Sequence, residues 1–326
     1  MPQRKVKAIV AAAILLPLIV YGIVFNGGIS TDHSRWADFG SYISGIYGAL
    51  GFLGLIYSLH ITRTQFISQG QDTTFFNLWG ALQNRISNAS VEAGKITLHG
   101  QAAYEYVVEK IQEELRLETS RLARNILCED PEEVGFVHYA NLSYALSQEG
   151  RLEDPFEGRD EFIRMMKALK SFDERSEYLK SWLGQSEYET EAVREALCGL
   201  GSVHFYKVSF AKRRGHYERA FSSIKQKHGA LIDGYFRNVC YLANHAVQSI
   251  NAKEHVEYLA SQLSRYELVL IFYCLAGASN PQKFTARLVE SGVLGELVHF
   301  DCRELMIDMP SDEELAREIE HVESVG

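Results

Sequence analysis

Seven cations lie between positions 207 and 227: Lys207, Lys212, Arg213, Arg214, Arg219, Lys225 and Lys227, with Glu218 as the only opposing charge. Tyr206, Phe210, His216 and Tyr217 are interleaved among them. In a chain of net charge -9 such a local patch can hold the phosphates of a nucleic acid or of anionic lipid headgroups. The same cations also suit a solvated loop between helices, or a surface that pairs with the chain's own acidic tail, residues 312–323. His245, His255 and Glu257 could meet across neighbouring helices, but they lack the His-Glu-x-x-His spacing of a zinc helix, so no metal centre is expected. Gly199-Leu200-Gly201 lacks the third glycine of a dinucleotide fingerprint. Asp38-Phe39-Gly40 copies the letters of a kinase magnesium motif without the other kinase elements. No phosphate-cradling Gly-rich loop with its lysine and no Gly-x-Ser-x-Gly elbow occurs. The sequence nominates no catalytic residue and no cofactor.

The elements that would have to carry any function are mostly helical. Of 326 residues 46% are hydrophobic and only six are proline, enough apolar material for a core and few helix breakers. Five cysteines, Cys128, Cys198, Cys240, Cys274 and Cys302, are widely spaced and read as reduced core thiols. Residues 8–25 and 39–61 contain no Asp, Glu, Lys or Arg. Each is long enough to cross a hydrocarbon layer of about 30 Å at about 1.5 Å per residue. Pro17 is tolerated in such a span. The connection 26–38 is too short for a domain, so the two spans form a hairpin. Arg4, Lys5, Lys7 and Arg63 flank the hairpin, while its loop has Arg35 against Asp32 and Asp38; the positive-inside rule puts both termini in the cytoplasm. A cleaved signal peptide is the rival reading of the first span.

The second span is rich in small residues: Gly40, Ser41, Ser44, Gly45, Gly48, Gly51 and Gly54. At this spacing helix backbones can approach closely in lipid, where packing drives association. The strip either seats the first span of the same chain or mediates association between copies; both uses are compatible.

The expected fold class is therefore mainly α, with a transmembrane hairpin over 1–62 and a predominantly helical cytoplasmic domain over 63–326. Residues 63–90 form a linking helix with Phe75, Trp79, Leu82 and Ile86 at 4-3-4 spacing, and Gly70 is a candidate break. Further helices are expected at 100–130, 229–251 and 253–277, with short pieces between charged turns over 131–200. The apolar positions Ile232, Phe236, Val239, Ala243, Ala246 and Ile250, then Val256, Leu259, Leu263, Tyr266, Leu270 and Tyr273, show core-facing periodicity. Asn280-Pro281 reads as a helix start, Gly292 as its end, and Ser311 with Glu314 as a capping box for a last acidic helix.

Four blocks in this order resemble the phage abortive infection family of membrane proteins. Residues Trp36 to Gly45 open the glycine-rich span. Thr73 to Leu78 resemble a "TFFxLL" block, Gly234 to Tyr241 a "YFRxLY" helix, and Tyr258 to Leu268 a "YxxxLxAQLSxYEL" helix, followed by Lys283-Phe284 through Leu294. Ser44 stands where that family often has glycine and Ala49 where proline is usual. The resemblance covers 36–90 and 229–297 and leaves 95–228 aside. It implies a role in antiphage defence by abortive infection, as a membrane effector released by a sensor. Similar two-span proteins accompany retron reverse transcriptases and are restrained by an RNA–DNA hybrid. The expected partners are therefore the lipid bilayer, further copies of the chain, and a reverse transcriptase, RNA–DNA hybrid or other defence component. Within the matched blocks Tyr235, Phe236, Arg237, Gln262, Ser264, Tyr266 and Glu267 are the positions of interest, with an Arg237–Glu267 contact as one expectation and a structural role as the other. A harmless membrane-anchored scaffold or sensor, or an enzyme with an unrecognised site, are the competing functions.

Overall fold

A computed structural model describes residues 12, 15–16, 18–23, 32–148, 155–183, 190–277, 285–307 and 309–325. The chain divides into two compact units, Met1–Gln71 and Asp72–Gly326, and is mainly helical.

In the first unit the described residues between 12 and 23 are helical. Of the connection expected over 26–38, residues 26–31 lie outside the described residues, as does Pro17, and residues 33–38 are helical instead. Helix α1 runs without interruption over His33–Ser87. It starts where Asp32 Oδ1 accepts hydrogen bonds from the backbone N–H and the hydroxyl of Ser34, both at 2.9 Å, an N-cap that places the beginning six residues earlier than hydropathy suggested. Gly70 causes no break, because a lone glycine costs a helix only about 1 kcal/mol. This helix is long and apolar enough to cross a membrane, and its apolar stretch is exposed rather than packed in a core. The Tyr21 ring lies 4.2 Å from that of Phe39 and 6.2 Å from that of Tyr42.

The second unit begins with the stripe read from the sequence: Phe75, Leu82 and Ile86 are buried and Trp79 packs beside them. A short antiparallel hairpin follows, β1 (Ser90–Ala93) paired with β2 (Ile96–His99). It was not anticipated. Its signal is Gly94 at the first turn position, with φ 65°, as two-residue hairpin turns demand. Helix α2 (Gln101–Glu129) is the long inner helix, burying Tyr104, Val107, Ile111, Leu115, Ala123 and Leu127 at 3–4 spacing. The helices α3 (Phe136–Gln148), α4 (Pro155–Ala168) and α5 (Phe172–Leu183) are the short pieces expected over 131–200, the turn at 149–154 lying outside the described residues. Then α6 (Glu191–Phe205) crosses α2 so closely that a Cβ on Gly201 would stand 2.0 Å from the Thr119 carbonyl oxygen. Only glycine fits there.

Helix α7 (Phe210–Gln248) is longer than expected and bends at His228, whose φ and ψ are -121° and 20°. Its first half contains the basic cluster apart from Lys207, which lies in the turn before it; a loop between helices is one of the readings open for these residues. This half is helical because Tyr217, Ala220, Phe221 and Ile224 recur on one buried face. Ile250 falls beyond its end and is exposed. The helix expected over 253–277 is two helices, α8 (Ala252–Gln262) and α9 (Arg265–Ala276). Leu263 turns extended at ψ 134°, and Ser264 starts α9 with a capping box to Glu267. From Glu267 to Ala276 every residue of α9 is buried, the condition of a helix enclosed by others. The chain closes with α10 (Thr285–Glu290), a turn at Gly292 with φ 68°, the short α11 (Glu296–His299) and α12 (Asp312–Val325). The Ser311 hydroxyl accepts the Glu314 N–H at 3.2 Å, half of the expected box; Asn280-Pro281 lies outside the described residues. No cysteine is disulfide-bonded, and four of the five are buried. Cys198 is half-buried, its thiol donating to the Arg116 carbonyl at 3.1 Å.

Candidate functional site

The small residues of α1 all lie exposed: Gly40, Ser41, Ser44, Gly45, Gly48, Gly51 and Gly54. A Cβ added at any of the five glycines would meet no described atom within 4 Å. Around them Phe52, Leu53, Leu55, Ile56, Tyr57 and Leu59 are between 49% and 64% exposed. In water such a run would be a large unsatisfied apolar surface; in lipid it is at home, and its glycines open a shallow face for another helix.

The basic cluster is taken up largely by ion pairs within the second unit. Arg213 is buried and holds Glu318 through two bonds, Nε to Oε1 at 3.1 Å and Nη2 to Oε2 at 2.5 Å. It also donates to the Tyr206 carbonyl at 3.1 Å and to that of Val208, and the Tyr217 hydroxyl donates to Glu318 at 3.1 Å. This is the pairing with the acidic tail that the sequence allowed. Arg219 Nε lies 2.8 Å from Glu118 Oε2, His216 Nδ1 3.0 Å from the same oxygen, and Arg121 is bonded to Oε1. Burial pushes the Glu118 carboxyl up, but bonds from His216 and Arg219 and the charges of Arg219 and Arg121 outweigh it and hold the group below the usual range. Arg214 pairs with Glu218 at 3.2 Å and Lys225 with Asp233 at 2.8 Å, while Lys212 is 4.0 Å from Glu129. Lys207 and Lys227 are exposed. Arg213 thus presents nothing to a phosphate; the exposed members are spread from the turn at Lys207 along a helix whose charges are already partly matched.

Among the seven positions singled out by resemblance, four converge. Glu267 is 3% exposed, and its Oε2 accepts the Ser264 N–H at 2.8 Å while the Ser264 hydroxyl accepts the Glu267 N–H at 3.3 Å. The Tyr235 hydroxyl donates to the Glu267 carbonyl at 3.4 Å, and the Tyr266 hydroxyl to Glu105 Oε1 at 2.5 Å. Gln101 Nε2 donates to Ser264. Burial raises the Glu267 carboxyl above its ordinary value, and the two bonds to Ser264 offset this only in part. The expected Arg237–Glu267 contact is absent. Arg237 is exposed on α7, whereas Glu267 is turned inward to cap its own helix, so no ion pair joins them. Phe236 is half-buried against the core and Gln262 is exposed. Together Ser264, Tyr266, Glu267 and Tyr235 form a joint that fixes the start of α9 against α2 and α7.

Sequence reasoning passed over a further joint. His255 stacks on Phe75 with ring centroids 4.2 Å apart and planes 8° from parallel. Its Nε2 is 3.0 Å from Asp72 Oδ1 and its Nδ1 2.8 Å from Ser249 Oγ. The order Ser–His–Asp imitates a nucleophilic relay. Here Ser249 is buried and its hydroxyl donates to the Ala246 carbonyl at 2.9 Å, so it closes the end of α7. No group of three or more metal-binding side chains gathers among the described residues. Comparison with family models, curated proteins and solved structures returns no match.

Proposed function

We propose that this chain is a membrane effector of antiphage defence. It inserts residues 8–25 and 39–61 into the bacterial inner membrane as a hairpin with both termini cytoplasmic, and the helical unit from residue 72 restrains it. On release by a sensor, which in the resembling proteins includes a reverse transcriptase with its RNA–DNA hybrid, the hairpins of several copies associate and compromise the membrane. Action is by assembly rather than by catalysis. The observation that supports this reading most is the exposed face of α1, where five glycines have no described neighbour within 4 Å of an added Cβ. A helix that offers close approach and has no occupant for it in its own described surroundings suits association with further copies.

The test is membrane potential and dye entry in cells expressing the full chain. Gly45→Leu and Gly48→Leu are expected to abolish depolarisation while leaving membrane insertion intact. Undiminished toxicity in well-inserted variants would sink the mechanism. The second reading is a harmless anchored scaffold or sensor, favoured by the self-contained core of the second unit. It is the surviving one if 72–326 on an unrelated membrane anchor still confers defence.

A further inference from the structure

One cavity in the second unit includes Arg237 and is distinct from the joint around Glu267. It has a volume of about 370 Å³ and is lined by the last turn of α1 and the stretch of α7 just after the bend at His228. Two arginines, Arg85 and Arg237, line it together with Asn238. Neither arginine has an ion pair or hydrogen bond with any described residue. The one carboxylate among the described lining residues, Asp233, is 2.8 Å from Lys225 Nζ and so is already matched. Asp233, Gly234, Arg237 and Asn238 share one face of α7 through their three- and four-residue spacing. Gly234 allows the arrangement. The Arg85 guanidinium occupies the space beside it, so that a Cβ there would stand 2.0 Å from Nη2 and 2.4 Å from Cζ. The missing side chain makes a seat for a cation from another helix.

We propose that this cavity binds a small phosphate monoester, of about the size of a nucleoside monophosphate. Two planar guanidinium forks facing one space without counter-charge match the oxygens of a tetrahedral anion in bidentate fashion. A monoester carries about -1.5 to -2 at neutral pH, which balances two arginines; a diester link of a nucleic acid backbone carries half of that. The volume falls in the range of roughly 300–1,000 Å³ of small-molecule sites, more than an inorganic ion fills, and Asn238 offers both a donor and an acceptor to the organic part. The inference stands apart from the membrane reading, since either can fail without the other.

The experiment is calorimetric titration of the detergent-solubilised full chain with inorganic phosphate, AMP and an oligonucleotide lacking terminal phosphate, at matched ionic strength. Saturable binding of AMP and weaker binding of phosphate are expected. Arg85→Gln and Arg237→Gln should each weaken AMP binding about tenfold or more. Gly234→Ala should do so as well, because its methyl displaces Arg85 while removing no charge. Lys227→Gln, which alters an exposed cation outside the lining, should leave binding unchanged. Circular dichroism of Arg237→Gln, a change at an exposed residue, confirms that the fold is kept. Absence of saturable binding by AMP and phosphate overturns the proposal, as does AMP binding that survives Arg85→Gln and Arg237→Gln. Equal or tighter binding of the oligonucleotide also overturns it and assigns the cations to a diester backbone.

Discussion

Arg213 and Glu318 are 5% and 0% exposed, so water stabilises neither charge and each is the other's only ionic partner among the described residues. Removing one leaves a buried, uncompensated ion, which costs about 3–5 kcal/mol. Glu318→Ala is therefore expected to lower the unfolding free energy by about that amount, read by chemical denaturation. Replacing both by Met and Leu should recover most of the loss. Glu267 behaves oppositely to an ordinary paired carboxylate. Its folded-state pKa is raised by burial, so its contribution is complete below the unfolded value near 4.3 and is lost as pH rises through the folded value. Glu267→Gln keeps an acceptor for the Ser264 N–H and has no charge to desolvate. Its melting temperature, relative to the native protein, should be more favourable at about pH 8 than at about pH 5. An identical difference at both would show that the carboxyl does not titrate differently on folding. Ser264 and Glu267 also show how single residues mislead: the motif that drew attention to them as functional positions is the Ser-x-x-Glu pattern of a helix start, legible in the sequence yet read there as part of a longer helix.

At the scale of elements, the stripe Phe75, Leu82 and Ile86 was fully legible, because 4-3-4 spacing on one helix has no other economical use. So was α2, whose buried face repeats over its whole length. The hairpin Ser90–His99 was not, since four-residue strands carry almost no periodicity. The first half of α7 is obscured for a different reason: its dense charges mask the apolar face formed by Tyr217, Phe221 and Ile224. The stripe yields a direct expectation. A fragment 72–326 should unfold in one cooperative transition, whereas 90–326 loses three fully buried large side chains. At about 2–5 kcal/mol each for such side chains, their sum is comparable to the roughly 5–15 kcal/mol stability of an ordinary domain. Thermal melts followed by circular dichroism will separate the two, and equal melts would show that the stripe is dispensable.

At the scale of the molecule, the division into an apolar N-terminal part and a helical remainder followed from hydropathy and periodicity, and the boundary at Gln71–Asp72 falls nine residues beyond the one read from the sequence. The joints that fix the remainder, Glu118 with His216 and Arg219, and Asp72 with His255, pair residues whose meeting depends on tertiary packing. Spacing alone cannot announce partners about a hundred positions apart, such as Glu118 and His216. The same holds for the cavity beside Gly234, where one arginine comes from α1 and the other from α7.

The thiols described earlier have a practical consequence. Burial raises the pKa of Cys128, Cys240, Cys274 and Cys302, which makes them poor nucleophiles toward maleimides. Cys198 alone is half-exposed. One substitution, Cys198→Ser, therefore provides a nearly silent background in which cysteines introduced one at a time along His33–Ser87 become addressable labels, for impermeant reagents or for spin probes, without the core being rebuilt first.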